Sequence, residues 1–108
     1  MRIGVKRLAI DFDGVLCDRY GIPRSVDWFD CPPTVNAVDA IKYLDKSYDL
    51  YVCTNRRRKE WPKIKEWLKD WGFPDLKVTN KKLIGTIAYV DDRAIRFTNW
   101  LDITKYFK

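Results

Sequence analysis

Asp11 and Asp13 stand two residues apart at the end of an apolar run (Val5, Leu8, Ala9, Ile10, Phe12) that is broken only by Lys6 and Arg7, and Gly14 follows them. A second pair, Asp91-Asp92, closes another apolar run, Thr86-Ile87-Ala88-Tyr89-Val90. Two carboxylates a few ångströms apart resist ionising together unless a cation neutralises them. A hard divalent ion such as Mg²⁺ is the natural partner for such oxygens. Taken alone, Asp11 and Asp13 serve equally well as turn formers before Gly14. The chain has no histidine, which removes every Ser-His, Cys-His and zinc-histidine mechanism at once. Catalysis, if present, falls to carboxylates, lysines, hydroxyls and a metal.

The elements that must position these groups follow from the spacing of apolar residues. The first run reads as a buried strand of an α/β protein whose carboxyl end carries the chemistry. Residues 15–32, with Gly21, Pro23 and Pro32, read as a long loop or small flap over that end. Tyr20, Trp28 and Phe29 either face a substrate there or tie the loop down as an apolar cluster. Pro33-Thr34 is expected to open a helix with Ala37, Ala40, Ile41 and Leu44 on its inner stripe. Leu50-Tyr51-Val52-Cys53-Thr54 reads as a second parallel strand, reached by a right-handed crossover, and brings Thr54 to the same rim as the first acidic pair.

Asn55-Arg56-Arg57-Arg58 precedes a helix expected over about 59–71, with Ile64, Trp67, Leu68 and Trp71 as its apolar stripe and Gly72 and Pro74 as its stop. Free backbone N–H groups at that helix start favour an anion, and a phosphate fits. Leu76-Lys77-Val78-Thr79 reads as a third strand, followed by Asn80-Lys81-Lys82, and residues 86–90 as a fourth. Ala94-Ile95-Arg96-Phe97 reads as a fifth, edge strand, and Leu101 to Phe107 as a terminal helix. Four strand ends thus deliver chemistry-bearing residues to one edge.

At 108 residues, with 46% hydrophobic and 15% aromatic content, the chain is expected to form one domain, 1–108, with one packed core. No apolar run approaches the roughly 18 to 20 residues that a membrane span needs, and the first residues lack a signal peptide's pattern, so a soluble, cytoplasmic protein is expected. Cys17, Cys31 and Cys53 form no C-x-x-C pair and are expected as free thiols. The net charge of +6 is uneven: residues 1–55 carry −1, residues 56–82 carry +6 and residues 83–108 carry +1. That segment, with Trp61, Trp67 and Trp71, reads either as a phosphate-attracting patch or as a solvated helix face whose tryptophans belong to the core.

In this order, each at a strand end, the motifs resemble those of the haloacid dehalogenase superfamily of phosphotransferases, over essentially the whole chain. Asp11-Phe12-Asp13-Gly14 is similar to the first motif, Tyr51-Val52-Cys53-Thr54 to the second, Lys81-Lys82 to the third and Tyr89-Val90-Asp91-Asp92 to the fourth. The resemblance implies a Rossmann-like parallel sheet of about four to five strands flanked by helices. It implies Asp11 as nucleophile, forming an aspartyl-phosphate, and Asp13 as general acid and then base, its backbone carbonyl also binding Mg²⁺. It further implies Thr54 on a phosphoryl oxygen, with Asn55 and Arg56 beside it, and a neutralising lysine, Lys81 or Lys82. Counting from Thr79 favours Lys82. Asp92 falls on the ion and Asp91 behind it; alternatively Asp91 pairs with Arg93 or a lysine. Neither residues 15–32 nor the 26 residues between Thr54 and Lys81 leave room for a cap domain, so a capless member is implied.

The activity so implied is Mg²⁺-dependent hydrolysis of a phosphomonoester, on a phosphorylated small molecule or a nucleic-acid end and not at a membrane. Thr54-Asn55-Arg56 and Asp91-Asp92-Arg93, with the following Trp100, are similar to the phosphatase domain of bacteriophage polynucleotide kinase, which makes a polynucleotide 3′-phosphatase the alternative. A response-regulator receiver also uses acidic pairs, a Thr and a Lys around Mg²⁺, but no Asp ends the second or third strand here. A non-catalytic Mg²⁺- or nucleic-acid-binding module is the remaining alternative.

Overall fold

The computed structural model describes residues 6–107; Val5, expected in the first strand, and the outer ends of the 1–108 domain lie outside them. Four strands form one all-parallel sheet: β1 (Arg7–Ile10), β2 (Asp49–Cys53), β3 (Lys77–Thr79) and β4 (Thr86–Val90), in the spatial order β3-β2-β1-β4. Helices α1 (Ala37–Asp45) and α2 (Trp61–Asp70) connect β1 to β2 and β2 to β3, and α3 (Trp100–Lys105) follows β4. This is a Rossmann-like α/β sheet flanked by helices. No cap domain occurs among the described residues.

Strand alternation divides the sheet into two faces of different character. Leu8, Ile10, Leu50, Val52 and Val78 join Ile41 of α1 and Ile64, Trp67 and Leu68 of α2 in one buried cluster. Phe12 completes it, with its ring edge-on to Trp28 and to Trp67 at 5.5 and 5.1 Å between centroids. On the opposite face only the centre is covered, at Ala9 and Tyr51, while Ile87 and Tyr89 of β4 are exposed. Tyr51, buried there, shares a hydrogen bond with the Thr86 hydroxyl at 2.7 Å and accepts one from the Leu83 N–H at 3.0 Å. The six residues 80–85 therefore cross that face instead of a helix, and they bring Lys82 back towards β1.

Three expected elements differ in the structure. The helix expected from Pro33-Thr34 begins only at Ala37, behind Asn36 at φ 64°. The reason is that Thr34 donates its N–H to Leu16 and its hydroxyl to Val15, holding the loop in place of starting the helix. Its inner stripe is Ala37, Ile41 and Leu44, whereas Ala40 is exposed. Residues 58–60 form a 3-10 turn before α2, and Trp71 lies at the surface rather than in the stripe. The expected fifth strand at 94–97 is absent. A tight return along β4 needs residues at positive φ, and Asp91-Asp92-Arg93 has none. The Asp91 carboxylate instead accepts the Arg93 N–H at 2.7 Å and turns the chain over the sheet edge. Beyond that turn Phe97 and Trp100 meet edge-on at 5.4 Å, both largely exposed.

Candidate active site

Parallel pairing aligns the strand ends, so the residues that leave the sheet meet along one rim. Ile10 is level with both Val52 and Val90. The Asp11 N–H extends the ladder to the Val90 carbonyl at 3.0 Å, and the Thr54 N–H does the same to Thr79 at 2.9 Å. Asp11 and Asp91 thus emerge side by side from neighbouring strands. Asp92 joins them, and each of the three offers an oxygen within 4.8 Å of the others. Gly14, at φ 80°, sits against this group: a Cβ there would overlap the Asp92 carboxylate and the Tyr20 ring.

The electrostatics of the cluster centre on Asp11, whose carboxyl is pushed up to about 6. Burial is the main cause. The Phe12 N–H, 2.8 Å from the carboxylate, works against it, while the charges of Asp91, Asp92 and Asp13 add to it. Asp91 has no ion pair among the described residues, since the Arg93 guanidinium lies over the Tyr20 ring at 5.0 Å. Three hard oxygens of like charge form a donor set that suits Mg²⁺ and that a divalent cation would relieve of repulsion. The neighbouring Cys53 thiol is raised by burial and by the Asp11 charge, against the pull of Lys82, which keeps it a poor soft ligand.

A cavity of about 320 Å³ opens beside the cluster, lined among others by Asp11, Asp91, Asn55, Asn80, Lys82 and Tyr89. The Lys82 ammonium reaches it over the Tyr89 ring, 5.3 Å from the centroid. Lys81 does not line it; its carbonyl accepts from the Cys53 thiol at 3.7 Å. Thr54 is 3% exposed, and its hydroxyl accepts the Arg56 N–H at 3.1 Å. Asn55, the next residue, is the one that faces the cavity.

Asp13 turns to the other side of the rim. Arg56 grips it with a two-point fork, Nε to Oδ2 and Nη2 to Oδ1, both at 2.9 Å. The guanidinium also reaches Glu60 at 3.3 Å and stacks 4.5 Å over the Trp28 ring. Burial alone would lower the Arg56 pKa, but the hydrogen-bonded Asp13 carboxylate and then Glu60 outweigh it and raise it. Trp28 and Phe29 therefore belong to the apolar cluster that anchors the loop 15–32, while Tyr20 stays exposed beside Gly14. Sequence reasoning missed the Asp13–Arg56 fork, Asn80 and the placement of Cys53 in the cavity. Strand alternation carried a signal for Cys53, which shares a sheet face with Asp11. Nothing local signals a contact across 43 residues. Compared with known proteins, the chain matches no family model and no curated protein sequence.

Proposed function

We propose that this chain is a Mg²⁺-dependent phosphomonoester hydrolase, a capless member of the haloacid dehalogenase superfamily, acting through an aspartyl-phosphate on Asp11. The observation that supports it is the convergence of Asp11, Asp91 and Lys82 at one cavity, from three separate strand ends, with an Asp92 oxygen within 4.8 Å of the two carboxylates. In this reading Asp11, Asp91 and Asp92 hold the ion, which neutralises charge on the phosphoryl oxygens when bound. Asp11 attacks phosphorus as the ester P–O bond breaks, and the leaving oxygen takes its proton from Asp13. Water then attacks the phosphorus of the acyl phosphate, giving a proton to Asp13, as the Asp11 O–P bond breaks; inorganic phosphate leaves and the Asp11 carboxylate is regenerated. Lys82 offsets the negative charge that Asp11 and the phosphate bring together.

The Arg56 fork occupies both Asp13 oxygens, so acid catalysis requires it to release at least one. A substrate phosphoryl oxygen is a competing acceptor for the same guanidinium. Asn55 and Arg56 thus act on the substrate from the loop that follows β2, with the buried Thr54 hydroxyl bracing the turn that presents them.

The polynucleotide 3′-phosphatase form of this reading draws little from the basic segment 56–82. Of its cations, only Arg56 and Lys82 line the cavities at the rim, while Lys65 and Lys69 line one at the opposite end of α2. The test is hydrolysis of a phosphomonoester panel with Mg²⁺ by the wild type and by Asp11→Asn, which keeps the side chain's size. Loss of turnover by at least about a thousandfold in the folded variant is expected. Comparable kcat would exclude Asp11 as nucleophile, and binding of Mg²⁺ without turnover of any ester would leave the non-catalytic module.

A further inference from the structure

On the far side of Asp13 lies a second cavity, of about 490 Å³, lined by Asp13, Arg19, Tyr20, Ile22, Arg24 and Arg56. The loop 15–32 that forms its outer wall is net negative, with Asp18, Asp27 and Asp30 against Arg19 and Arg24. Yet both of its cations line the cavity and none of its carboxylates does. Asp18 is turned to the Gly21 N–H at 3.1 Å, and Asp27 to the Phe29 N–H at 2.9 Å. Arg56 is balanced by Asp13 and Glu60. Arg19 braces the loop, donating to the Pro23 and Arg24 carbonyls at 3.5 and 3.3 Å. That leaves the Arg24 guanidinium with no hydrogen bond or ion pair among the described residues, beside a second cation and an exposed Tyr20 ring.

A cavity to which its loop contributes both of its guanidinium groups and none of its carboxylates is built for an anion, and a guanidinium's fork matches phosphate oxygens. We propose that this cavity, on the Asp13 side of the rim, holds a second phosphate of the substrate. The preferred substrate is then a phosphomonoester whose leaving alcohol carries a further phosphate group. Arg24 contacts that group, Arg19 positions the loop, and Tyr20 gives the intervening carbon skeleton a flat surface. This rests on the phosphatase reading only for which phosphate is cleaved. The shared chemistry has two sources, a small bisphosphate and the penultimate phosphodiester of a nucleic-acid end.

The test compares kcat/KM for two matched pairs: a hexose bisphosphate against a hexose monophosphate, and a 3′-phosphorylated dinucleotide against a 3′-mononucleotide. Wild type is expected to favour the two-phosphate member of at least one pair by about tenfold or more, and Arg24→Ala to remove that preference mainly through KM. Arg24→Lys should restore part of it. Preference in the hexose pair assigns small bisphosphates and preference in the nucleotide pair a nucleic-acid end. Equal values for both pairs, or a preference indifferent to Arg24→Ala, overturn the proposal. If no ester is hydrolysed, the phosphatase reading fails separately. Calorimetric binding of the same four compounds then decides the subsite, with an Arg24-dependent preference supporting it and equal affinities overturning it.

Discussion

Asp11 illustrates how a site's purpose shows in the state of one group. Its carboxyl titrates at about 6 in the fold against an ordinary value of 3.8. The folded chain therefore holds that proton more tightly than the unfolded chain does. The resulting contribution to stability is fully present below 3.8 and is lost as pH rises through about 6. In metal-free buffer, Tm of the wild type should fall relative to that of Asp11→Asn between pH 4 and pH 7. Millimolar Mg²⁺ at pH 7 should narrow or reverse the gap, because the ion favours the charged cluster. Thermal unfolding of both proteins with and without chelator checks this, and a pH-independent gap would remove Asp11 from the charged cluster. Asp92→Ala is expected to weaken Mg²⁺ binding more than Asp91→Ala, since one Asp91 oxygen is committed to the Arg93 N–H. Calorimetric titration showing the reverse order would exchange their roles.

At the scale of elements, α2 links the core to the rim. Its inner side buries Trp67 at 1% exposure, with the indole N–H donating to the Cys31 carbonyl at 2.9 Å, so one side chain fixes both the helix and the base of the loop 15–32. Trp67→Ala should cost about 3 to 5 kcal/mol of unfolding free energy. Trp100, on α3, is 72% exposed, and Trp100→Ala should change it by less than about 0.5 kcal/mol. Urea melts of the two variants check the contrast. The loop between β2 and α2 carries Arg56 to Asp13, and the indole N–H of Trp61, the first residue of α2, donates to the Arg56 carbonyl at 3.0 Å, which makes the helix a positioning element for the site as well as a wall of the core.

For the whole molecule, the distribution of charge separates two ways of using it. Within residues 56–82, Lys63, Lys65 and Lys69 lie on α2, and Lys65 and Lys69 line a cavity at its far end, whereas cations at the rim come from four segments: Arg19 and Arg24, Arg56, Lys82 and Arg93. A single strand that lay along α2 would release a counterion at each contact, with a slope near −0.7 per contact in a double-logarithmic plot of affinity against salt. Binding of a 3′-phosphorylated decamer to Asp11→Asn should instead show the same slope as a 3′-phosphorylated dinucleotide, because no cation of α2 lines either cavity at the rim. A slope that steepens with length would put the α2 face in contact with nucleic acid. No helix among the described residues is long and apolar enough to cross a membrane.

By itself the sequence determined the parallel strands, the two crossover helices and the four strand ends that carry Asp11, Thr54, Lys81-Lys82 and Asp91. These were legible because period-two and period-3.6 patterns are consequences of backbone geometry, and the residue after a buried run is placed by that run. The parallel pairing of β1 with β2 followed from the crossover rule, whereas the place of β4 beside β1 was decided by the tertiary structure. Only the tertiary structure decided that Asp13 faces Arg56, that Lys82 rather than Lys81 reaches the cavity and that Thr54 is covered. It also decided that Ala94-Ile95-Arg96-Phe97 forms no strand and that Arg19 and Arg24 share a cavity with Asp13. Each of these depends on where two loops or a loop and a sheet edge meet in space, and such meetings depend on packing and charge balance between segments far apart in the chain, which local spacing does not encode.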